Sequence, residues 1–309
     1  MILFFWGPNS FAARQKIREM VDAYITKNGD TGLERIDGST VDDQRLASSL
    51  TAAPFLADSR LVIVENLGQN KKVSDQMGKL IDLIPESTVA VFFDSEVDQR
   101  TSYFKTMNKK SQVVKFDNLP LPKLEAWAKS EFEKLDSKID QPAIKKLVEI
   151  TGDDQWRLSN EIQKLANFGE SIGVKEVEEL VVESPSETIF ELVDATASGK
   201  LKEALSMYHG LLEQQINEHY ILTMLIWQLR NLVMAKFAGT ITPDELAKKA
   251  GMSPFVASKV MAKRGNYSEE TLKNAFLKAV ETDYLIKSGQ GESEVMVEQL
   301  IYTLCEGLG

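Results

Sequence analysis

Two stretches of this 309-residue chain stand where nucleotide chemistry is usually done. The first is Gly7-Pro8-Asn9-Ser10-Phe11-Ala12-Ala13-Arg14, directly after the apolar run Ile2–Trp6. A phosphate loop uses backbone N–H groups at a helix start to cradle anions. Its working form, G-x-x-x-x-G-K-[ST], adds a lysine for the phosphates and a hydroxyl for magnesium. Here the second glycine, the lysine and the hydroxyl are all missing, and Pro8 removes one N–H. Gly7, Pro8, Asn9 and Ser10 therefore read as a degenerate phosphate loop. The second stretch, Val89–Phe93 followed by Asp94 and Glu96, has the form of a magnesium-holding strand in nucleotide hydrolases. Strands often end in solvated acids, and without the lysine loop that blander account carries more weight.

Other catalytic groupings are weak. No G-x-S-x-G elbow occurs, and His209 and His219 lie ten residues apart with no clear third ligand. Cys305 is the single cysteine, which excludes an internal disulfide and a cysteine-rich zinc site. No cofactor or metal is expected. A third feature is of another kind: Pro54 stops a helix, and Phe55-Leu56 follow before the next strand begins at Arg60. Taken alone, such an apolar pair more often folds into a core than stands out as an anchor for a partner.

The elements that position these residues fall into three regions. Ile2–Trp6, Leu33–Ile36, Arg60–Val64, Val89–Phe93 and Val113–Phe116 are short runs rich in Val, Ile and Phe, as in a buried parallel sheet. Between them Ile17, Met20, Val21, Tyr24 and Ile25 repeat at helical spacing after a cap at Asn9 or Ser10. Thr40 with Asp43 resembles a capping box before a helix carrying Leu46 and Leu50. This alternation predicts an α/β domain over residues 1–119. After the turn Asn118-Leu119-Pro120-Leu121-Pro122 no convincing strand remains. Three short helices fill 120–185, with Pro122 in the first turn of one and another ending at Thr151-Gly152. Residues 186–309 read as helical to the end, in segments from Phe190 through Val295–Leu304.

Charge limits the partners. The 46 acidic residues outnumber the 36 basic ones, for a net charge of −10. Residues 1–119 carry 15 basic and 16 acidic side chains, 120–185 carry 9 and 14, and 186–309 carry 12 and 16. No region has the basic field of a protein that holds nucleic acid alone, so contact with DNA must be local or shared. Lys71-Lys72 and Lys109-Lys110 read as solvated pairs, Trp156 and Trp227 as core, and Arg157 as a surface or ion-pair residue. No apolar run reaches the roughly 18 residues of a membrane span, and Met1–Trp6 is too short for a signal core. A cytoplasmic protein is expected.

Several segments together resemble the delta-subunit family of bacterial DNA polymerase III clamp loaders, AAA+ relatives that have lost nucleotide binding. The carriers are Phe4–Phe11, Pro54-Phe55-Leu56 with Arg60–Val64, Asp98-Gln99-Arg100 with Tyr103-Phe104-Lys105, Gly152–Leu165, Ile189–Ala195, and Asp283 with Ile286–Gly289. The resemblance implies a RecA-like, AAA+-like α/β domain, a three-helix lid and an all-α collar for oligomerisation. It implies a subunit that binds the sliding clamp (beta), opens its ring for loading onto primed DNA, and assembles with the gamma/tau ATPase subunits and delta-prime. Within the DNA polymerase III holoenzyme such a subunit has no ATPase activity of its own. Phe55 and Leu56 match the family's apolar clamp contact in type and position, with Pro54 and Ala57 as neighbours, which reverses the core reading of that pair. The family's motor subunits and delta-prime carry a zinc-binding cysteine cluster and a Ser-Arg-Cys finger, and a chain with Cys305 alone holds neither. The rival readings are a nucleotide-dependent P-loop enzyme using Asp94 and Glu96, and a helical scaffold with no role in replication.

Overall fold

The computed structural model describes residues 1–54, 58–169, 171–182 and 185–308. The chain divides into two units, Met1–Asn118 and Leu119–Gly309.

The first unit is a five-stranded parallel sheet of β1 (Ile2–Trp6), β2 (Leu33–Asp37), β3 (Arg60–Glu65), β4 (Thr88–Asp94) and β5 (Gln112–Lys115), in the order β2-β3-β4-β1-β5. Its helices are α1 (Ser10–Asn28), α2 (Asp43–Thr51), the single turns α3 (Lys71–Ser74) and α4 (Met77–Leu80), and α5 (Ser102–Lys110). Alternate side chains of each strand point to opposite faces. Leu3, Phe5, Leu61, Ile63, Val91 and Phe93 meet Ala13, Ile17, Val21 and Tyr24 of α1 on one face. Phe4, Val62, Val64, Ala90 and Phe92 meet Leu46, Leu50, Met77, Tyr103, Phe104 and Met107 on the other. The central strands β1, β3 and β4 are the buried ones, whereas edge strand β5 is largely open to solvent and edge strand β2 is partly so.

The caps show how local chemistry sets the helix starts. Asn9 caps α1, its side chain accepting from the Ala12 N–H. The cap of α2 is Asp42, which accepts from the Arg45 N–H, and not the expected Thr40. The aspartate stands immediately before the first helical residue, where a short acceptor reaches the orphan amides.

The second unit contains α6 (Leu121–Lys134), β6 (Lys138–Ile139), α7 (Gln141–Thr151), α8 (Gln155–Phe168), β7 (Ser171–Ile172), α9 (Val174–Leu180), α10 (Pro185–Ala197), α11 (Leu201–Glu213), α12 (Glu218–Lys236), α13 (Pro243–Ala250), α14 (Pro254–Lys263), α15 (Glu269–Lys287) and α16 (Ser293–Leu308). It has two apolar cores. One gathers Leu124, Phe132, Leu147, Leu158, Ile162 and Val177 of α6–α9, with Phe255 of α14 added. The other lies around α12 and α15, with Leu222, Leu229, Leu272 and Ala279 among its members. Two departures from the sequence reading appear. A fourth short helix, α9, and the two-residue parallel pair β6–β7 join the three helices α6, α7 and α8. The later helices also include α13, whose capping box pairs Thr242 with Glu245 around Pro243; that start signal is in the sequence, but only eight residues follow it.

Phe4 is fully buried and meets Tyr103 and Phe104 edge-on, with ring centroids 5.8 and 5.9 Å away. Phe4→Ala is expected to cost about 3–5 kcal/mol of stability through lost contacts and the cavity left behind. Urea unfolding followed by circular dichroism measures it.

Candidate functional site

The chain itself takes up amides of the loop after β1. The Gly7 N–H donates to the Asp94 carbonyl at 3.2 Å, the Asn9 N–H to the Phe116 carbonyl at 3.0 Å, and the Ala12 N–H to Asn9 Oδ1 at 3.0 Å. Asn9 also donates from Nδ2 to the Asp117 carbonyl at 3.2 Å. Gly7 has φ +124°, and a Cβ there would lie 2.4 Å from the Phe116 carbonyl oxygen. Glycine is thus required by the close approach of the β5 exit, independently of any ligand. Ala13, at the position of the phosphate lysine, is buried against the sheet, and Arg14, at the position of the hydroxyl, pairs with Glu65 at 2.6 Å. The row of free amides that holds a phosphate is here a set of amides already engaged.

Asp94 and Glu96 do not converge. Asp94 is 1 % exposed; its Oδ1 accepts from the Gly68 N–H at 2.7 Å and its Oδ2 from the Tyr103 hydroxyl at 2.8 Å. It ties the strand end to the 3-10 turn Leu67–Gln69 and to α5. Burial raises its pKa above the ordinary carboxylate value, against the lowering effect of the two hydrogen bonds. The same burial, with the Asp94 carboxylate alongside, raises the Tyr103 phenol. Glu96, two residues on, is exposed.

The third candidate feature has a well-built frame. Phe55, Leu56 and Ala57 lie outside the described residues; Pro54 before them is half-buried. The roots on either side are both fixed. Arg60, at the start of β3, donates from Nη1 to the Ser49 carbonyl at 2.6 Å and to the Ala52 carbonyl at 3.2 Å, capping the last turn of α2. Its Nη2 meets Glu34 of β2 at 2.8 Å, and Glu34 also accepts from Ser49 Oγ and Arg45, each at 2.8 Å. On the far root the Tyr24 hydroxyl reaches the Ser59 and Thr31 carbonyls, at 2.7 and 2.8 Å. Charge-assisted bonds to carbonyls at a helix C-terminus also suit the helix dipole. The sequence does not mark Glu34, and it marks Tyr24 only as part of the apolar face of a helix. The only hint was a carboxylate inside strand β2, facing an arginine that opens β3.

The remaining expectations divide. Lys110 pairs with Asp82 at 2.5 Å, while Lys71 and Lys72 are exposed. Arg157 donates to the Val182 carbonyl. Trp227 is half-buried, but Trp156 is 40 % exposed and so is not the core residue its helical spacing suggested. It stands in the first turn of α8, beside the Asp154 cap and off the line of the buried residues Gln155, Leu158, Ile162 and Leu165. No described helix is long and apolar enough to cross a membrane.

Comparison with known proteins decides the family. Residues 3–117 match the family model "DNA polymerase III, delta subunit", and residues 186–304 match "DNA polymerase III delta subunit, C-terminal domain". The chain belongs to the DNA polymerase III delta subunit family. It is 24 % identical over 305 residues to the DNA polymerase III subunit delta of Bacillus subtilis (strain 168), covering 94 % of this chain and 87 % of that one. The solved structure of the Bacillus subtilis DNA clamp loader delta protein (YqeN) superposes with a TM-score of 0.70 at 21 % identity, over 99 % of this chain and 95 % of that chain. The two structures share a fold: an N-terminal α/β domain with a parallel sheet, followed by a mostly helical remainder.

The Asp94 pair gives a prediction with a definite sign. A carboxyl with a raised folded-state pKa holds its proton more tightly folded than unfolded. Its contribution is present below the ordinary value of 3.8 and is lost as pH rises through the raised value. The stability difference between the parent and Asp94→Asn is therefore expected to shrink as pH rises through that window. Tyr103→Phe is expected to cost about 1–3 kcal/mol at neutral pH, by leaving a buried carboxylate oxygen without its donor. Denaturant titrations across pH measure both.

Proposed function

We propose that this delta subunit of DNA polymerase III binds the ring-shaped sliding clamp (beta) through Phe55 and Leu56, with Pro54 beside them, and favours the opened ring during loading onto primed DNA. Residues 1–119 act as the clamp-binding domain, 120–185 as the lid, and 186–309 as the collar that joins it to gamma/tau ATPase subunits and delta-prime. The work is done in the cytoplasm, by contact and without nucleotide hydrolysis in this chain.

The observation that carries the reading is the frame around residues 55–57. An apolar tip binds well when its ordering cost is met before the partner arrives. Arg60 and Tyr24 fix the two ends of this segment to the sheet and to the end of α2. Burial of Phe55 and Leu56 in a partner pocket would contribute about 1.5–3 kcal/mol each. Such binding opens a ring only to the extent that the tip prefers the open form, since a ligand shifts an equilibrium by its differential affinity. The engaged amides of the loop after β1 support the absence of nucleotide chemistry from the proposal.

Phe55→Ala combined with Leu56→Ala is expected to weaken binding to the cognate clamp by about two orders of magnitude or more, with the fold intact by circular dichroism. Unchanged affinity in the folded double variant would remove the anchor. Arg60→Met, which keeps the stem and loses the bonds to Ser49, Ala52 and Glu34, is expected to weaken clamp binding about tenfold while Phe55 and Leu56 remain. Surface plasmon resonance on immobilised clamp reads both.

A further inference from the structure

A cavity of about 210 Å³ opens in the second unit where the α7–α8 turn meets α10, α12 and α14. Its charges are uneven. Asp153, Asp154 and Glu187 line it against Arg157 and Lys259. Most are committed: Glu187 pairs with Lys259, Asp154 caps α8 by accepting from the Trp156 and Arg157 N–H groups, and Arg157 donates to the Val182 carbonyl. Two acceptors are left over. Gln228, on α12, is 3 % exposed and its Oε1 has no hydrogen-bond partner. Asp153 is supported by Ser253, but its Oδ2 is buried without a partner.

A buried acceptor without a donor is destabilising, because it has given up water and gained nothing in return. Both belong to residues that line one cavity, and a ligand with several N–H donors would satisfy them once the two side chains turn toward it. The other walls are aromatic and aliphatic: Trp227, Phe190 and Phe255, with Met224 and Val256. A guanidinium group meets all of this, since it is planar and weakly hydrated, carries five donors, and stacks on ring faces. An ammonium is a compact, strongly hydrated point charge with less to gain from stacking. A phosphate would bring further acceptors to a wall already short of donors. Among the described residues no group of three His, Cys, Asp or Glu side chains could hold a metal ion.

We propose that this cavity is a receptor for an arginine side chain presented by a partner polypeptide, its guanidinium bonded to Asp153 Oδ2 and Gln228 Oε1 and stacked on the aromatic wall. The aliphatic stem would lie along Met224 and Val256. A polypeptide arginine fits better than the free amino acid, whose own carboxylate would meet Asp153 and Asp154.

The test uses the full chain with 15N-labelled tryptophan and N-acetyl-arginine-N-methylamide as probe. The indole resonance of Trp227, assigned with Trp227→Phe, is expected to shift saturably at millimolar probe, the range open to one side chain in one pocket. The capped lysine analogue and free L-arginine are each expected to bind about tenfold more weakly. Asp153→Asn and Gln228→Leu are each expected to weaken the capped arginine about tenfold. Gln228→Leu should leave the melting temperature equal or higher, because it removes an unpaired acceptor; that separates a binding role from a structural one. The proposal is overturned by the absence of a saturable shift, by equal binding of the lysine analogue, or by unchanged affinity in both variants. Tighter binding of free arginine than of the capped form would overturn the polypeptide source.

Discussion

The first unit depends on the close approach of the Phe116 carbonyl to Gly7. That contact fixes where β5 leaves the sheet and how α1 begins, and it takes up the Asn9 amide. Buried amides must find an acceptor, and here the chain supplies its own. Asn9 then caps α1 and reaches the Asp117 carbonyl, so the loop is closed from both sides. Asp94 plays the corresponding part on the neighbouring strand, where a buried carboxyl serves Gly68 and Tyr103. The two positions at which a nucleotide hydrolase spends its chemistry are thus occupied by internal hydrogen bonds that hold the domain together.

The far edge of the same sheet is held by hydrogen bonds of its own. Glu34 on β2 collects Arg60, Arg45 and Ser49, and Arg60 passes the constraint on to the end of α2. The Arg60 and Glu34 side chains are mostly shielded from water, 12 % and 20 % exposed, so this pair is screened less than a surface ion pair. Under the proposed function, the α/β domain works as a lever whose stiffness comes from its core and whose specificity comes from one short segment.

The fold was largely legible because its pattern is strong. Five apolar runs rich in β-branched and aromatic residues appear as the five strands, and the turn at Asn118–Pro122 marks the boundary between the units. Caps are legible to within a few residues: the sequence offers Asn9 or Ser10 and the structure uses Asn9, whereas Asp42 competes with Thr40 and is separated from it only by backbone geometry. Short elements were lost. The β6–β7 pair has two residues per strand, too few for a period to show, and α9 and α13 are seven and eight residues long. Trp156 misled because helical spacing identifies a face only once the buried stripe is known. At the site, the loss of the phosphate lysine was plain from sequence alone. The reason Gly7 stands there was not, because it depends on Phe116, more than a hundred residues away in the chain. The Tyr24–Ser59 and Arg60–Glu34 bonds also join residues on different elements, 35 and 26 positions apart, and only the charge pair leaves a hint in the sequence.

The claim that the phosphate grip has been replaced by internal bonding is tested most directly by isothermal titration of the purified full chain with ATP, with and without magnesium. The account predicts no saturable heat up to millimolar nucleotide under either condition. Micromolar, magnesium-dependent binding would contradict it.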